Sequence, residues 1–139
     1  MTAKACIFCG IVAGQLPAHF VLDAGPCLAF LDTRPIFPGH VLVVPRVHHE
    51  TLLDLPPDDV AMLFGTARAV CAALERALGA EGTFVGMNNR ISQSVPHAHV
   101  HCVPRRKGDG LRGFFWPRQK YASDEAAAEI AARVKAAMG

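Results

Sequence analysis

Apolar residues are spaced in two different ways along this chain. Between Pro56 and Gly79 they recur at every third or fourth position, which predicts one long amphipathic helix. Prolines and aspartates in its first turn and a glycine after its last turn are typical helix boundaries. The side chains expected to face the core are Val60, Leu63, Phe64, Ala67, Val70, Cys71, Leu74 and Leu78.

Elsewhere the apolar residues form short runs bounded by turn residues, which predicts strands. These runs cover residues 20–23, 27–32, 40–44, 83–87 and 97–103. A single helical turn is expected near residues 6–14, and Ser123 is the expected cap of a final helix over residues 124–138. Strands joined by short turns, with helices inserted between them, indicate an antiparallel sheet and an α+β fold in one domain.

The last predicted strand carries a row of polar side chains. His97, His99 and His101 occupy every second position between Pro96 and Pro104. Because side chains on a strand alternate between its two faces, the three imidazoles are expected on one face and small apolar residues on the other. Buried imidazoles are costly unless each has a polar partner. The row therefore predicts a functional site.

Three interpretations of this row differ in their chemistry. A neutral imidazole is a competent nucleophile toward phosphorus, and a protonated neighbour can neutralise a phosphoryl oxygen or protonate a leaving group. Close imidazoles titrate together, so a mixture of protonation states is expected near pH 7. An all-histidine metal site is the main alternative, although alternate positions on one strand place three nitrogens in a line rather than around one ion. A structural role is the third interpretation, and phosphoryl chemistry is favoured.

Composition narrows the setting of the site. The 139 residues are 51% hydrophobic and 19% charged, and the net charge of +2 is too small to indicate nucleic acid or a membrane surface. No segment approaches the ~18 apolar residues that span a bilayer, and no signal peptide is recognisable. Five cysteines, an odd number, fit reduced thiols in a cytoplasm better than a disulfide framework. The chain also lacks the glycine-rich phosphate loop of P-loop NTPases.

The run from His97 to Val103 resembles the signature of the histidine triad superfamily, in which three histidines alternate with apolar residues. The resemblance extends to residues 30–32, 38–45 and 93–95, and residues 6–9 resemble the N-terminus of many bacterial members. It covers about the first three-quarters of the chain. It implies a single domain over residues 1–139, with a curved five-stranded antiparallel sheet, a long central helix and a C-terminal helix, assembled as a homodimer.

The resemblance also implies an activity. Members act as nucleotide hydrolases or transferases on the α-phosphate of nucleoside phosphoramidates or related conjugates, through a covalent nucleotidyl-histidine, and release AMP or another nucleoside monophosphate. By position His99 is the nucleophile, His101 contacts the phosphate or the leaving group, and His40 and His97 support the site. A dinucleoside polyphosphate hydrolase and a nucleotide-binding protein with little turnover are the alternatives. A purine nucleotide is the expected ligand, without an organic cofactor.

The same resemblance assigns nucleotide contacts outside the row. Asp32 matches a carboxylate that accepts hydrogen bonds from the ribose hydroxyls, although a turn aspartate would look similar. Gln93 and Ser94 offer polar groups for phosphate oxygens, beside His99 and His101. Asn88 is expected to contact the phosphate or the nucleophile, and the short loop that follows leaves Asn89 as an alternative.

A separate pair of cysteines predicts a metal site. Cys6 and Cys9 supply half of a tetrahedral zinc shell. The resemblance implies that His48 and His97 complete it as a structural site, with His49 as the alternative to His48. That the two cysteines are free structural thiols remains an alternative interpretation. A redox dithiol is disfavoured because no thioredoxin-like pattern surrounds the pair.

The segment over residues 105–121 combines basic and aromatic side chains and belongs to a C-terminal part, residues 105–139, that is expected to vary. Its aromatic residues are Phe114, Phe115, Trp116 and Tyr121. Stacking on nucleic acid is one interpretation. Packing against a second subunit combined with selection of the leaving group is favoured, so neither nucleic acid nor a membrane is an expected partner.

Overall fold

A computed structural model describes residues 5–113 and 117–138. The five strands are β1 (Phe20–Leu22), β2 (Cys27–Leu31), β3 (Val41–Pro45), β4 (Gly82–Gly86) and β5 (Val100–Arg105). The helices are α1 (Ile7–Val12), α2 (Pro57–Leu78) and α3 (Asp124–Ala137). A 3₁₀ turn over Leu52–Asp54 was not predicted from the sequence. Phe114, Phe115 and Trp116 lie outside the described residues.

The strands form one antiparallel sheet in the order β1-β2-β3-β5-β4. The predicted five-stranded antiparallel sheet and α+β class are therefore confirmed. Strand β5, which contains His101, the last histidine of the row, is an interior strand, and His101 lies directly opposite Leu42 of β3. Backbone pairing on both sides holds this strand firmly in register.

Alternation along the strands divides the core between the two faces of the sheet. One buried cluster packs under α2 and contains Cys27, Ala29, Val41, Val43, Ala98, Val100 and Cys102 from the sheet side. The other packs under α1 and contains Cys6, Phe8, Ile11, Leu28, Phe30, Leu42 and Val44. Because His101 is paired with Leu42 and lies between Val100 and Cys102, its imidazole belongs to the α1 face.

Helix α2 begins and ends where the sequence predicts. Pro57 occupies its first turn, and Gly79 caps it in the left-handed conformation at φ 66°. Its buried residues follow helical spacing, but two residues predicted to face the core do not. Phe64 is 37% exposed and Leu78 is 45% exposed. Each lies at the edge of an apolar stripe whose centre is filled by Leu63, Ala67, Val70 and Leu74.

The chain divides into two compact units, one up to residue 109 and one from residue 110. In the second unit the Ser123 hydroxyl accepts a hydrogen bond from the backbone N–H of Ala126, which confirms the predicted N-cap of α3. The single domain over residues 1–139 stays a prediction. Within residues 5–113 and 117–138, none of the helices combines the length and hydropathy that a bilayer crossing requires.

Candidate functional site

The histidine row lies where the chain enters β5, and only part of it is in the strand. The predicted strand over residues 97–103 begins instead at Val100. Residues 97–99 do not join the sheet ladder. The backbone N–H of Ala98 donates instead to the carbonyl of His49 at 2.7 Å, and that of His97 donates to the carbonyl of Val95 at 2.8 Å. His97 and His99 are nevertheless buried, with exposures of 0% and 3%.

The His99 imidazole is fixed by a backbone carbonyl. Its Nδ1 lies 2.7 Å from the carbonyl oxygen of His97, and since a carbonyl only accepts, Nδ1 carries the hydrogen. The lone pair of the neutral ring is therefore on Nε2. The ring packs 5.0 Å from that of Phe8 and 5.0 Å from that of His101. The tautomer of neutral His99 and the packing of its ring are thus both defined.

His40 and His101 form a hydrogen-bonded chain that also begins at the backbone. The N–H of Ile36 donates to Nδ1 of His40 at 3.1 Å, so the hydrogen of neutral His40 is on Nε2. That Nε2 lies 2.9 Å from Nδ1 of His101 and donates to it. Neutral His101 must then carry its own hydrogen on Nε2, which makes this atom a proton donor.

Burial controls the charge of these rings. Removal from water lowers the pKa of His40 and His99, and it lowers the pKa of His101 to about 4, with further lowering from neighbouring His99 and His40. All three imidazoles are therefore neutral near pH 7. The mixture of protonation states expected from the sequence is wrong for the free protein, because burial lowers the pKa of all three rings and the neighbouring rings lower that of His101 further.

Asp32 lies beside this chain at the end of β2. Its Oδ2 is 3.7 Å from Nε2 of His40, and its Oδ1 accepts a hydrogen bond of 2.9 Å from the backbone N–H of Arg34. The side chain is 22% exposed and so remains reachable from solvent. The structure thus brings Asp32, His40 and His101 together, and the roles that the resemblance gives them stay predictions.

A second cluster joins α1 to the start of the row. Cys6, Cys9, His48 and His97 each offer one ligand atom, and these atoms all lie within 4.8 Å of one another. The Nδ1 atom of His97 is 3.5 Å from the sulfur of Cys6 and 3.6 Å from that of Cys9. The Nδ1 atom of His48 is 3.2 Å from the sulfur of Cys9 and 3.2 Å from Nδ1 of His97.

These distances fit a tetrahedral zinc ion. Bonds of about 2.3 Å to sulfur and 2.0 Å to nitrogen place sulfur and nitrogen ligands about 3.5 Å apart and two nitrogens about 3.3 Å apart. Proton placement agrees, because Nε2 of His97 donates to the carbonyl of Pro45 at 2.8 Å and leaves the Nδ1 lone pair toward the thiols. His49 lies outside the set, with its Nε2 3.9 Å from Oδ2 of Asp59.

Asp32, His40 and His101 also place ligand atoms within 4.8 Å of one another, but the fit to a cation is poor. A metal on Nε2 of His40 would displace the hydrogen that the Ile36 N–H requires there. The ring would have to become anionic, or two hydrogens would meet at Nδ1. The hydrogen positions of this group are therefore unfavourable for a cation.

The loop before the row holds itself together with polar side chains. The amide nitrogen of Gln93 donates to the carbonyl of Glu50 at 2.6 Å, and its amide oxygen accepts from the N–H of Arg90 at 2.8 Å. The oxygen of Asn89 accepts from the N–H of Leu52 at 2.8 Å. Gln93, predicted to hold phosphate oxygens, therefore has both ends of its amide engaged within the loop and its neighbouring segment.

The other two predicted phosphate contacts lie in the same loop. The amide of Asn88 donates to the carbonyl of Ser92 at 3.2 Å, while Ser94 is exposed. Arg90 and Ser92 adopt positive φ angles of 69° and 60°. Residues other than glycine reach this conformation at a cost that is common near functional sites. The loop is thus tightly bent directly before the row.

Several groups that shape the site were not found by sequence reasoning. The carbonyl of Pro45 and the N–H of Ile36 set the ring protons, yet main-chain groups leave no side-chain signal. Phe8 contacts two of the histidines, and its position inside the Cys6–Cys9 motif was the one available signal.

Comparison with known proteins identifies a family to which this chain is similar. The family model described as the HIT domain matches residues 13–108. A HIT-like protein of Mycobacterium tuberculosis is 37% identical over 108 residues, which cover 76% of this chain and 75% of that protein. An adenylylsulfatase of Arabidopsis thaliana is 33% identical over 108 residues, 76% of this chain and 55% of that protein. A bis(5′-nucleosyl)-tetraphosphatase of Schizosaccharomyces pombe is 40% identical over 83 residues, 58% of this chain and 46% of that protein.

Solved structures extend the similarity to nearly the whole chain. A HIT family protein from Bacillus anthracis has a TM-score of 0.84 and 30% identity, covering 98% of this chain and 99% of that one. A zinc-bound histidine triad family protein from Mycobacterium smegmatis has a TM-score of 0.76 and 33% identity, covering 97% and 99%. The match to the HIT domain and this shared fold show that the chain belongs to the histidine triad (HIT) family.

Proposed function

We propose that this protein is a nucleotidyl hydrolase or transferase that cleaves nucleoside phosphoramidates or related nucleotide conjugates at the α-phosphate. The observation that carries the proposal is the hydrogen bond between Nδ1 of His99 and the His97 carbonyl, which leaves a neutral nucleophile at Nε2. The names of two relatives, an adenylylsulfatase and a bis(5′-nucleosyl)-tetraphosphatase, support chemistry at nucleotide phosphates.

In the first step Nε2 of His99 attacks the α-phosphorus in line with the leaving group. A nitrogen–phosphorus bond forms as the bond to the leaving amine breaks. The attacking His99 ring becomes a nucleotidyl-imidazolium, and its Nδ1–H keeps donating to the carbonyl of His97. Because that donor bond strengthens as positive charge develops on the ring, it stabilises the transition state more than the ground state.

The leaving amine takes its proton from Nε2 of His101. In the free protein this ring is neutral, because burial lowers its pKa to about 4. An anionic phosphate placed beside it raises that pKa, so the ring gains a proton from solvent when substrate binds. The hydrogen bond from His40 meets Nδ1 of His101 in the neutral state and must rearrange as that proton arrives.

In the second step water attacks the nucleotidyl-histidine on phosphorus. The nitrogen–phosphorus bond breaks, a nucleoside monophosphate leaves, and neutral His99 is restored. The proton lost by the attacking water returns to the His101 ring, which gave one up in the first step. An alcohol or amine in place of water would make the same site a transferase.

The α1 face of the sheet offers a surface for the nucleoside. In the proposed complex Asp32 would accept hydrogen bonds from the ribose hydroxyls. Phe20 on the same face is 41% exposed and packs edge-on against buried Phe30. Aromatic walls of this kind suit a flat purine base.

Zinc belongs to the proposal as a structural ion. Cys6, Cys9, His48 and His97 would hold it, and their spacing and the lone pair on Nδ1 of His97 fit the ion once the thiols are deprotonated. When bound, it supplies a crosslink between α1, the segment after β3 and the histidine row. No organic cofactor is part of the proposal.

A labelling experiment tests the nucleophile. We expect an acid-quenched turnover mixture of wild-type protein and an adenosine phosphoramidate to contain an adenylyl adduct on the peptide that spans residues 96–105. A His99→Gln variant should form no adduct and should lose at least about a thousandfold in rate. The matched control is His19→Gln, at an exposed histidine outside the row. Equal turnover by the two variants would remove the proposed role of His99.

Dinucleoside polyphosphate hydrolysis is the second candidate, favoured by the 40% identity with the tetraphosphatase. Comparing kcat/KM for an adenosine phosphoramidate and a diadenosine polyphosphate separates the two. A higher value for the polyphosphate would reassign the leaving group and keep His99. Tight AMP binding with no adduct would indicate a nucleotide-binding protein with little turnover.

We also propose that the protein is a cytoplasmic homodimer in which residues 105–139 contact the second subunit or the leaving group. Strand β4 is at one edge of the sheet, and Val85 on it is 41% exposed. An edge strand offers backbone groups for pairing with a second copy. Light scattering of the wild type and of Val85→Lys tests this, because a dimer joined at β4 should dissociate in the variant.

A further inference from the structure

Phe8 lies against the proposed nucleophile but takes no part in the proposed reaction. The residue belongs to α1 and is only 6% exposed. Its ring centroid is 5.0 Å from that of His99 at an interplanar angle of 88°. It also contacts the rings of His97 at 5.9 Å and Phe30 at 5.5 Å, both at steep angles.

The His99 ring needs a second restraint beyond its hydrogen bond. The bond from Nδ1 to the His97 carbonyl fixes one corner of the ring, but the ring can still pivot about that axis. Such a pivot swings Nε2, which is the attacking atom. A perpendicular aromatic ring at 5.0 Å opposes the pivot by contact and by the favourable edge-to-face geometry.

The position of Phe8 is fixed by two cysteines of the same motif, one before it and one after it in the sequence. Its neighbours in the motif are Cys6 and Cys9, whose sulfur atoms face the imidazoles of His97 and His48. A helix of six residues is too short to be stable alone, so its position depends on this cluster and on apolar packing. The Cys-x-x-Cys motif therefore places the Phe8 ring against His99 and also supplies two thiols to the proposed metal site.

We propose that Phe8 is a positioning residue that holds the His99 ring in the orientation required for in-line attack. This inference rests on the proposed nucleotidyl-transfer function. A small misplacement of a reacting atom slows chemistry strongly, while binding of the nucleotide need not change. Loss of the Phe8 ring should therefore lower kcat and leave the affinity for AMP nearly unchanged.

Four variants test the proposal. Phe8→Leu and Phe8→Met keep an apolar side chain but remove the ring, and Phe8→Tyr keeps the ring. Ile11→Ala is the matched control, since Ile11 belongs to the same helix and the same buried cluster. For each variant we would measure the single-turnover rate of adduct formation, the Kd of AMP, the Tm, and the NMR signals of the His99 ring.

We expect Phe8→Leu and Phe8→Met to form the adduct about ten- to a hundredfold more slowly, with the Kd of AMP changed less than about threefold. Phe8→Tyr should recover most of the rate. Ile11→Ala should lower the Tm and keep the wild-type rate. The His99 ring signals should broaden or shift in the two variants that lack the ring and stay in place in Ile11→Ala.

Two results would overturn the inference. One is a rate for Phe8→Leu equal to that of Ile11→Ala, with unchanged His99 signals. The other is a loss in AMP affinity as large as the loss in rate, which would make Phe8 part of the base-binding wall. If wild-type protein forms no adduct, the proposed function fails, and the His99 signals in Phe8→Leu against Ile11→Ala still decide whether Phe8 positions the ring.

Discussion

Two clusters near the start of β5 contain histidines whose hydrogens are arranged in opposite ways. In the first, His97 and His48 turn their Nδ1 atoms toward two thiols. In the second, His40 and His101 pass a hydrogen bond from ring to ring. Both clusters lie on the α1 side of the sheet, and burial lowers the pKa of His97 in the first and of His40 and His101 in the second.

The difference between them comes from one main-chain group in each cluster. The carbonyl of Pro45 accepts from His97 and so turns a lone pair toward the cluster, as a metal requires. The N–H of Ile36 donates to His40 and so turns a hydrogen toward the cluster, as a proton donor requires. Residue type alone thus cannot distinguish a metal ligand from an acid, whereas the backbone partner of the ring can.

The largest expected effect comes from breaking the thiol cluster. Cys9→Ser should abolish stoichiometric zinc in the purified protein and lower the Tm by about 10 °C or more, because binding free energy at a structural site adds to the stability of the fold. Metal analysis and thermal melts measure both. Cys71→Ser, at a half-buried thiol outside the cluster, is the control. A stable, zinc-free wild type would show that the thiols act as packing residues.

The adjacent histidines give a sharper test of the same cluster. His48→Gln removes a ligand and should weaken zinc binding by more than the roughly 10–100-fold typical of outer-shell changes. His49→Gln should leave affinity nearly unchanged, since that ring faces Asp59 rather than the sulfurs. Competition with a chromogenic chelator measures both affinities. If His49→Gln weakens zinc binding more than His48→Gln does, His49 is the metal ligand.

Much of this fold could be predicted because local patterns specify it. Apolar spacing and terminal residues located α2 and α3, and alternation placed Ala98, Val100 and Cys102 on the face opposite His101. The cysteine motif and the histidine row are also defined by spacing within a few residues, so both can be recognised in the sequence without the structure.

Features that depend on the path of the backbone could not be predicted. The choice between His48 and His49 depends on how the chain turns after Pro45. The late start of β5 follows from a bond between Ala98 and the carbonyl of His49, about 50 residues earlier. Gln93 was predicted as a phosphate contact, but a carbonyl at Glu50 engages its amide. Main-chain groups have no side-chain pattern, so single-sequence reasoning misses them.

Proton uptake on nucleotide binding tests the acid cluster. The pKa of His101 in the free protein is about 4, and an anionic phosphate should raise it. Between pH 5 and 7 we therefore expect uptake of up to about one proton per AMP, with tighter binding at lower pH. Calorimetry in buffers of different ionisation enthalpy measures the uptake. His101→Asn should abolish it and His19→Asn should not, whereas uptake that persists in His101→Asn would place the proton elsewhere.

The smallest expected effect is on the pH dependence of stability. Because burial lowers the pKa of His101 and His40 in the folded protein, the unfolded chain binds more protons below its ordinary histidine pKa of about 6.5. This contribution is complete above about pH 6.5 and is lost as the pH falls toward the folded values. Urea unfolding between pH 5 and 7 should show stability that rises with pH in the wild type. In His101→Asn the unfolding free energy should rise less steeply with pH, by an amount that corresponds to up to about one proton bound on unfolding. Equal slopes in the two proteins would mean that His101 is already solvated or protonated in the native state.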